Sequence, residues 1–218
     1  GLVAGASIDE YESDRIKKHE HTRRVKEDDR TRHVDALNAN TGPVFLTYKA
    51  RPEIDALAAR LTAGAPLYDF VAPDGIQHVL WVVDRPQDRE ALATAFKAVP
   101  ALYVADGHHR SAAATRIRAL RREGNPKHTG EEPYNFFLAV IFPDREMKIL
   151  DYNRVVRDLN GLGGETLLAR IGEHFEVEPV ADGRPRAAAT FGMYLDHRWY
   201  RLRARAGSYP AGDPVRSL

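Results

Sequence analysis

The chain has 218 residues, 43% of them hydrophobic and 29% charged, enough to bury a sizeable core in one large domain or two small ones, which excludes disorder as its main state. Its 32 basic and 31 acidic residues leave a net charge of +1, so no global field draws it to nucleic acid or an anionic membrane, and any anion site must be local. Cysteine is absent, which excludes disulfides, thiolate zinc sites and cysteine nucleophiles and suits a reducing cytoplasm.

Residues 2–8 are short, small and apolar, which predicts a buried strand. From 15 to 32 the sequence is almost wholly charged, with only Ile16 and Val25 to anchor it, so it cannot be core. Val34 and Leu37 give a helix starting near Lys26 a thin apolar stripe, and Thr41-Gly42-Pro43 ends it before a strand at 44–48. Ile54, Leu57, Ala58 and Leu61 recur at helical spacing, with Pro52 suited to the first turn and 64–66 as the stop. Strands at 67–71 and 77–83 flank the turn Pro73-Asp74-Gly75. Pro86 opens a helix whose face is Leu92, Ala95, Phe96 and Val99, and Pro100 closes it.

Residues 101–105 predict a buried strand and 106–109 a turn. Ala113, Ile117 and Leu120 mark one face of a helix to about Arg122, stopped by Gly124-Asn125-Pro126. Runs at 136–142 and 147–150, joined by Pro143-Asp144-Arg145-Glu146, predict a central hairpin. The first is also the longest apolar run, far short of the roughly 18 to 20 residues of a membrane-spanning helix. A short helix carries Leu168 and Ile171, and strands at 191–195 and 199–204 alternate about Asp196-His197-Arg198.

Strands and helices interleave without a strict repeat, which predicts an α+β fold, a mixed sheet with packed helices. Glycines at 161, 163 and 164 place a boundary between a domain at 1–160 and a smaller C-terminal α+β segment at 161–218. The start at Gly1 without methionine and the end at Leu218 in mid-pattern are expected to mark a fragment.

Chemistry concentrates in Ala105-Asp106-Gly107-His108-His109-Arg110, between a strand and the first turn of a helix. Amides at a helix start lack intrahelical partners, and the macrodipole favours an anion there. Arg110 adds a forked cation, Gly107 lets backbone approach a ligand, and His108 and His109 can donate to phosphate oxygens or move protons. Asp106 offers a carboxylate to Mg²⁺ or to a substrate hydroxyl. The plainer reading has Asp106 capping the helix, Gly107 turning the chain and both histidines in solvent.

A second constellation is His19-Glu20-His21-Thr22-Arg23, with Lys17, Lys18, Arg24 and Lys26 beside it. Phosphoryl transfer needs cations against developing oxygen charge and a carboxylate to take the hydroxyl proton, and this segment has both, with Glu20 as the base. A solvated charged loop is the alternative. The pair His19-x-His21 with His108-His109 also fits a zinc or iron site, a weaker reading without an HExxH pattern. No GxxxxGK[ST] occurs, and Gly161-x-Gly163-Gly164 lacks the preceding strand of a dinucleotide fingerprint. Trp81 reads as core rather than as a ligand stack, and Arg154 as either a site residue or a surface pair.

Tyr103-Val104-Ala105-Asp106-Gly107-His108-His109-Arg110 resembles the signature of the domain-of-unknown-function 1015 family, often labelled as related to the chromosome-partitioning protein ParB. Arg15-Ile16-Lys17-Lys18-His19-Glu20-His21-Thr22-Arg23, Lys26-Glu27-Asp28-Asp29-Arg30 and Asp151-Tyr152-Asn153-Arg154-Val155-Val156 also resemble that family, so the likeness spans most of the chain. Gly107-x-x-Arg110-x-x-Ala113 resembles the phosphate-binding box of the ParB and sulfiredoxin superfamily, and Asp106-Gly107-His108-x-Arg110 is similar to the free-serine kinases, where a threonine stands at His109. The resemblance implies a ParB/sulfiredoxin-like core that binds ADP or ATP with Mg²⁺ and transfers a phosphoryl group to a small hydroxylated metabolite, free L-serine first. Glu20, Asp106 and His108 are then the catalytic candidates; Gly107, His108, His109, Arg110, His19 and Arg23 bind nucleotide phosphates, and Asp106 holds Mg²⁺.

Sulfiredoxin activity is excluded, since His108 stands at the place of its cysteine. No helix-turn-helix follows the box, which argues against chromosome partitioning. The rival readings are a nucleotide-binding switch without catalysis and a metal-dependent phosphoester hydrolase. The expected partners are a nucleotide and a small substrate, with a homodimer compatible and neither nucleic acid nor membrane expected, in a soluble cytoplasmic protein.

Overall fold

Alternating burial along Val44–Tyr48 and Phe136–Pro143 makes both runs inner strands of one sheet. The computed structural model describes residues 1–209. By contacts the chain divides into two units, Gly1–Ile149 and Leu150–Leu218.

The first unit runs β1 (Leu2–Ser7), α1 (Ile8–Glu12), β2 (Ile16–Lys17), α2 (Arg24–Leu37), β3 (Val44–Tyr48), α3 (Pro52–Leu61), β4 (Tyr68–Val71), β5 (Gln77–Leu80), α4 (Pro86–Lys97), β6 (Leu102–Asp106), α5 (His108–Glu123) and β7 (Phe136–Pro143). Short 3-10 turns at Pro133–Asn135 and Asp144–Glu146 flank β7. The five-stranded sheet has the order β1-β7-β3-β6-β2. It is mixed: β7 pairs antiparallel with β1 and parallel with β3, while β6 pairs antiparallel with β3 and parallel with β2. Ile8, Ile16, Val44, Leu46, Val104 and Phe137 form its most deeply buried centre. The architecture is therefore α+β with a mixed sheet, as the interleaved pattern predicts.

The predicted hairpin between 136–142 and 147–150 does not form. Both edges of β7 are already taken, by β1 and β3, so no ladder is open to the residues that follow. The chain instead leaves β7 through the turn Asp144–Glu146, where the Asp144 carboxylate accepts from the Ala50 amide at 3.0 Å and from Lys49 at 2.8 Å. That carboxylate ties the ends of two parallel neighbours together, and Ile149 is left 97% exposed.

The charged stretch is not one loop. Ile16, fully buried, makes the two-residue β2 beside Leu102 and Tyr103, and Arg15 holds it by donating to the carbonyls of Lys97 and Val99. α2 begins at Arg24, two residues before the predicted start, and only Thr31 of it is buried. Its apolar residues contribute little, with Val25 80% exposed. Ions dock it instead: Arg116 of α5 reaches Glu27 and Asp28, and Arg121 reaches Asp35. α5 joins the core through Ala114 and buries Ala113 and Ile117 as well. On another face, Arg118 is 9% exposed and forked by Asp9 and Glu12 of α1.

β4 and β5 form a separate two-stranded antiparallel sheet with all their residues exposed. The second unit carries α6 (Gly164–Gly172), β8 (Phe175–Val180), β9 (Thr190–Leu195) and β10 (Arg198–Ala204). Its strands form an antiparallel sheet, β8-β10-β9. β8 goes unpredicted, although Phe175, Val177 and Val180 are its more buried positions. The glycine run at 160–164 lies inside this unit and leads into α6. Among the described residues no helix is long and apolar enough to cross a membrane.

Candidate functional site

The turn between β6 and α5 is one residue long. β6 ends at Asp106, paired with Phe45 where the register between β3 and β6 shifts, and α5 begins at His108. Gly107 joins them at φ +102°, ψ 24°, a region that residues with a Cβ rarely occupy. Its carbonyl accepts from the amides of Arg110 and Ser111 at 2.8 and 3.0 Å. No side chain caps the helix, and the His108 and His109 amides have no hydrogen-bond partner among the described residues.

Asp106 is thus the last strand residue and not the cap of the plainer reading. Its exposed carboxylate accepts instead from Arg110 Nη2 at 2.7 Å. Arg110 Nε donates to the Pro43 carbonyl at 3.0 Å, and the side chain runs between two glycines. A Cβ on Gly107 would stand 3.0 Å from Arg110 Nη2, and one on Gly42 3.4 Å from its Cδ. Thr41-Gly42-Pro43, read from sequence as a helix stop, is therefore also the seat of this guanidinium. Two of its five donors are committed, and Nη1 remains for a ligand.

His108 is 4% exposed, so the picture of two solvated histidines fails for it. The His19 ring packs edge-on against it, with centroids 4.4 Å apart, and its Nδ1 lies 3.7 Å from Glu20 Oε2. Burial pushes the imidazole below its usual range, nearby His19 pushes the same way, and Glu20 and Asp106 oppose them. Its Nε2 is buried with no partner among the described residues. A buried orphan of this kind is rare enough to need a ligand, a water or a function to explain it.

These groups wall a cavity of about 380 Å³, within the size of small-ligand sites. Residues 106–110 and Glu20 form part of the lining, and α2 completes it with Lys26, Asp29 and Arg30. Those three lie on adjoining turns of one helical face. Lys26 belongs to the cations noted from sequence, whereas Asp29 and Arg30 carry no site assignment there. Their signal is the spacing from Lys26, which becomes meaningful only once α2 is docked on α5.

Of the other predicted residues, His19 reaches the site through its ring contact with His108. Arg23 contributes its backbone: its amide donates to His109 Nε2 at 3.1 Å, and its side chain does not line the cavity. The four imidazoles do not converge on one point, since His108 packs on His19 while His109 turns to Arg23. Among the described residues, no group of three or more His, Asp or Glu side chains is placed to hold a metal ion.

The cavity lining carries three cations, Lys26, Arg30 and Arg110, against three carboxylates, Glu20, Asp29 and Asp106. Arg110 pairs with Asp106 and Arg30 lies 3.6 Å from Asp29, while Lys26 has no carboxylate partner among the described residues. A polyanion entering this balanced lining needs added positive charge. Mg²⁺ fits that need, since it is ordinarily held by one or two carboxylates together with substrate phosphates. Asp106, exposed and with one oxygen outside the Arg110 bond, suits the task.

No curated protein and no solved structure matches the chain significantly. A family profile does, and it covers residues 1–218, taking in the turn at 106–110, the Glu20 segment and α2 alike. The chain therefore belongs to the family described as "Protein of unknown function (DUF1015)".

Proposed function

We propose that this cavity binds a nucleotide with Mg²⁺ and transfers a phosphoryl group to a small hydroxylated metabolite, with free L-serine the first acceptor to try, on a ParB/sulfiredoxin-like core. The observation that carries this reading is the meeting of Glu20 with the 106–110 turn in one cavity. A base, an anion-favouring helix start and three cations are what phosphoryl transfer asks of a protein.

In this reading the unpartnered amides of His108 and His109, the remaining donors of Arg110, and Lys26 receive the phosphate oxygens. Asp106 holds Mg²⁺, which when bound neutralises charge on those oxygens. Glu20 accepts the proton of the acceptor hydroxyl as its oxygen bonds to phosphorus and the bond from that phosphorus to the nucleotide's leaving oxygen breaks. His108, buried and with its Nδ1 3.7 Å from a Glu20 carboxylate oxygen, flanks that base. Positioning and electrostatics supply most of the rate.

Isothermal titration with ADP, ATP and CTP in Mg²⁺ tests the reading, and binding at or below millimolar concentration is expected. Glu20→Gln is expected to keep nucleotide affinity and to lower product formation by about 10²-fold or more. Absence of binding by all three nucleotides sinks the proposal. Binding without any phosphorylated product assigns the protein instead as a nucleotide switch, and release of free phosphate with a tightly held transition metal assigns a hydrolase.

A further inference from the structure

Residues 18–23, which carry Glu20, have no regular secondary structure. Their ends are tied to their own neighbourhood: Lys18 Nζ donates to the Tyr11 carbonyl at 3.0 Å, and the Thr22 hydroxyl to Glu27 at 2.7 Å. Neither bond reaches the 106–110 turn. Among the described residues one hydrogen bond does, from the Arg23 amide to His109 Nε2 across 86 residues of sequence. The remaining links are the ring contact of His19 with His108 and the 3.7 Å approach of Glu20 to the same imidazole.

The identity of the donor assigns the tautomer. A backbone N–H can only donate, so Nε2 of His109 is a bare acceptor and the ring proton sits on Nδ1. That nitrogen is thereby removed from the phosphate donors expected of a histidine beside the box, leaving Nδ1–H as the one ring donor His109 can offer the cavity it lines.

Resting on the reading that Glu20 works at this cavity, we propose that His109 is a positioning residue: as the neutral, Nδ1-protonated tautomer, it accepts the Arg23 amide and fixes the Glu20 segment against the turn. An exposed irregular segment opens locally at little free-energy cost, and a long-range bond near its end restricts that opening. The carboxylate then stays over the cavity between turnovers.

The test uses the full chain and three proteins: wild type, His109→Ala and His109→Gln. Nitrogen–proton correlation spectra of the wild type are expected to show His109 protonated at Nδ1 and bare at Nε2. Hydrogen exchange of the Arg23 amide is expected to quicken about tenfold in His109→Ala, the effect of losing one hydrogen bond. His109→Gln, whose amide oxygen can accept, is expected to restore most of that protection. Turnover is expected to fall and recover in the same order.

A wild-type ring protonated at Nε2, or an Arg23 amide equally protected in folded His109→Ala, overturns the proposal. Should His109→Ala not fold, the wild-type tautomer still decides. Should no nucleotide be turned over by any of the three proteins, the loss falls on the kinase reading alone, because exchange and tautomer report on His109 without it.

Discussion

The guanidinium of Arg110 lies against the backbone of Gly107, so close that a Cβ there would stand 3.0 to 3.2 Å from its Nη2, Nε and Cζ atoms. The glycine therefore serves twice, by turning the strand into the helix at φ +102° and by making room for the side chain that braces the turn.

Gly107→Ala is expected to destabilise the protein by about 1–3 kcal/mol through backbone strain, and to displace Arg110 from Asp106 and Pro43. In an Arg110→Ala background the strain persists but the collision is gone, so the same change should cost less. A double-mutant cycle in urea measures the difference, with a coupling of roughly 0.5 kcal/mol or more expected between adjoining groups. Strict additivity would show that the two residues do not bear on each other.

Arg118 predicts an asymmetry. Its side chain is 9% exposed, whereas its partners Asp9 and Glu12 are 74% and 51% exposed. Converting both acids to their amides strands a buried guanidinium and is expected to cost about 3 kcal/mol or more. Arg118→Met leaves two carboxylates that can rehydrate, and its cost should stay near 1 kcal/mol. Denaturant midpoints of the two variants check this, and equal losses would contradict it.

Acid stability should depend on Glu132, before β7. Burial acts to raise its pKa, but the amides of Thr129, of Glu132 itself and of Gly130, with the Thr129 hydroxyl, bring it down from 4.5 to about 2. Between those values the unfolded chain binds the proton that the folded chain refuses, so stability rises with pH. The contribution is complete above 4.5 and fades as pH falls toward 2. Glu132→Gln is expected to flatten that part of the stability–pH curve, measured by chemical denaturation across it; an unchanged slope would refute the assignment.

Local pattern carried far in this chain. Alternation at 44–48 and helical spacing at 54–61 match β3 and α3 closely, because each side chain's face follows from backbone periodicity alone. The strand–turn–helix order around Gly107 was legible too, since a glycine between an apolar run and a helical stripe has few conformations open to it, but the turn expected at 106–109 is Gly107 alone, with Asp106 in β6 and His108 and His109 in α5. Motif likeness pointed to the family whose profile covers the chain.

What the pattern could not state was who meets whom. The hairpin after β7 failed because β1 and β3, distant in sequence, had taken both its edges. β2 was hidden in a charged stretch because two residues are too few to show a period, and it is the pairing with distant β6 that places Ile16 at the core. α2 displays too little apolar surface to predict a docking face, and pairs formed across roughly ninety residues, such as Arg116 with Glu27 and Asp28, set it beside α5.

The sequence by itself determined the chemistry on hand: a glycine turn carrying an aspartate, two histidines and an arginine at 106–110, a charged segment around Glu20, and no cysteine. Only the tertiary structure decided that these share a cavity, that Asp29 and Arg30 belong to it, that His108 is buried, and that Arg23 acts through its backbone. The physical reason is range. Periodicity and turn chemistry act over a few residues, whereas a site is assembled by sheet order and ion pairs whose partners lie far apart along the chain.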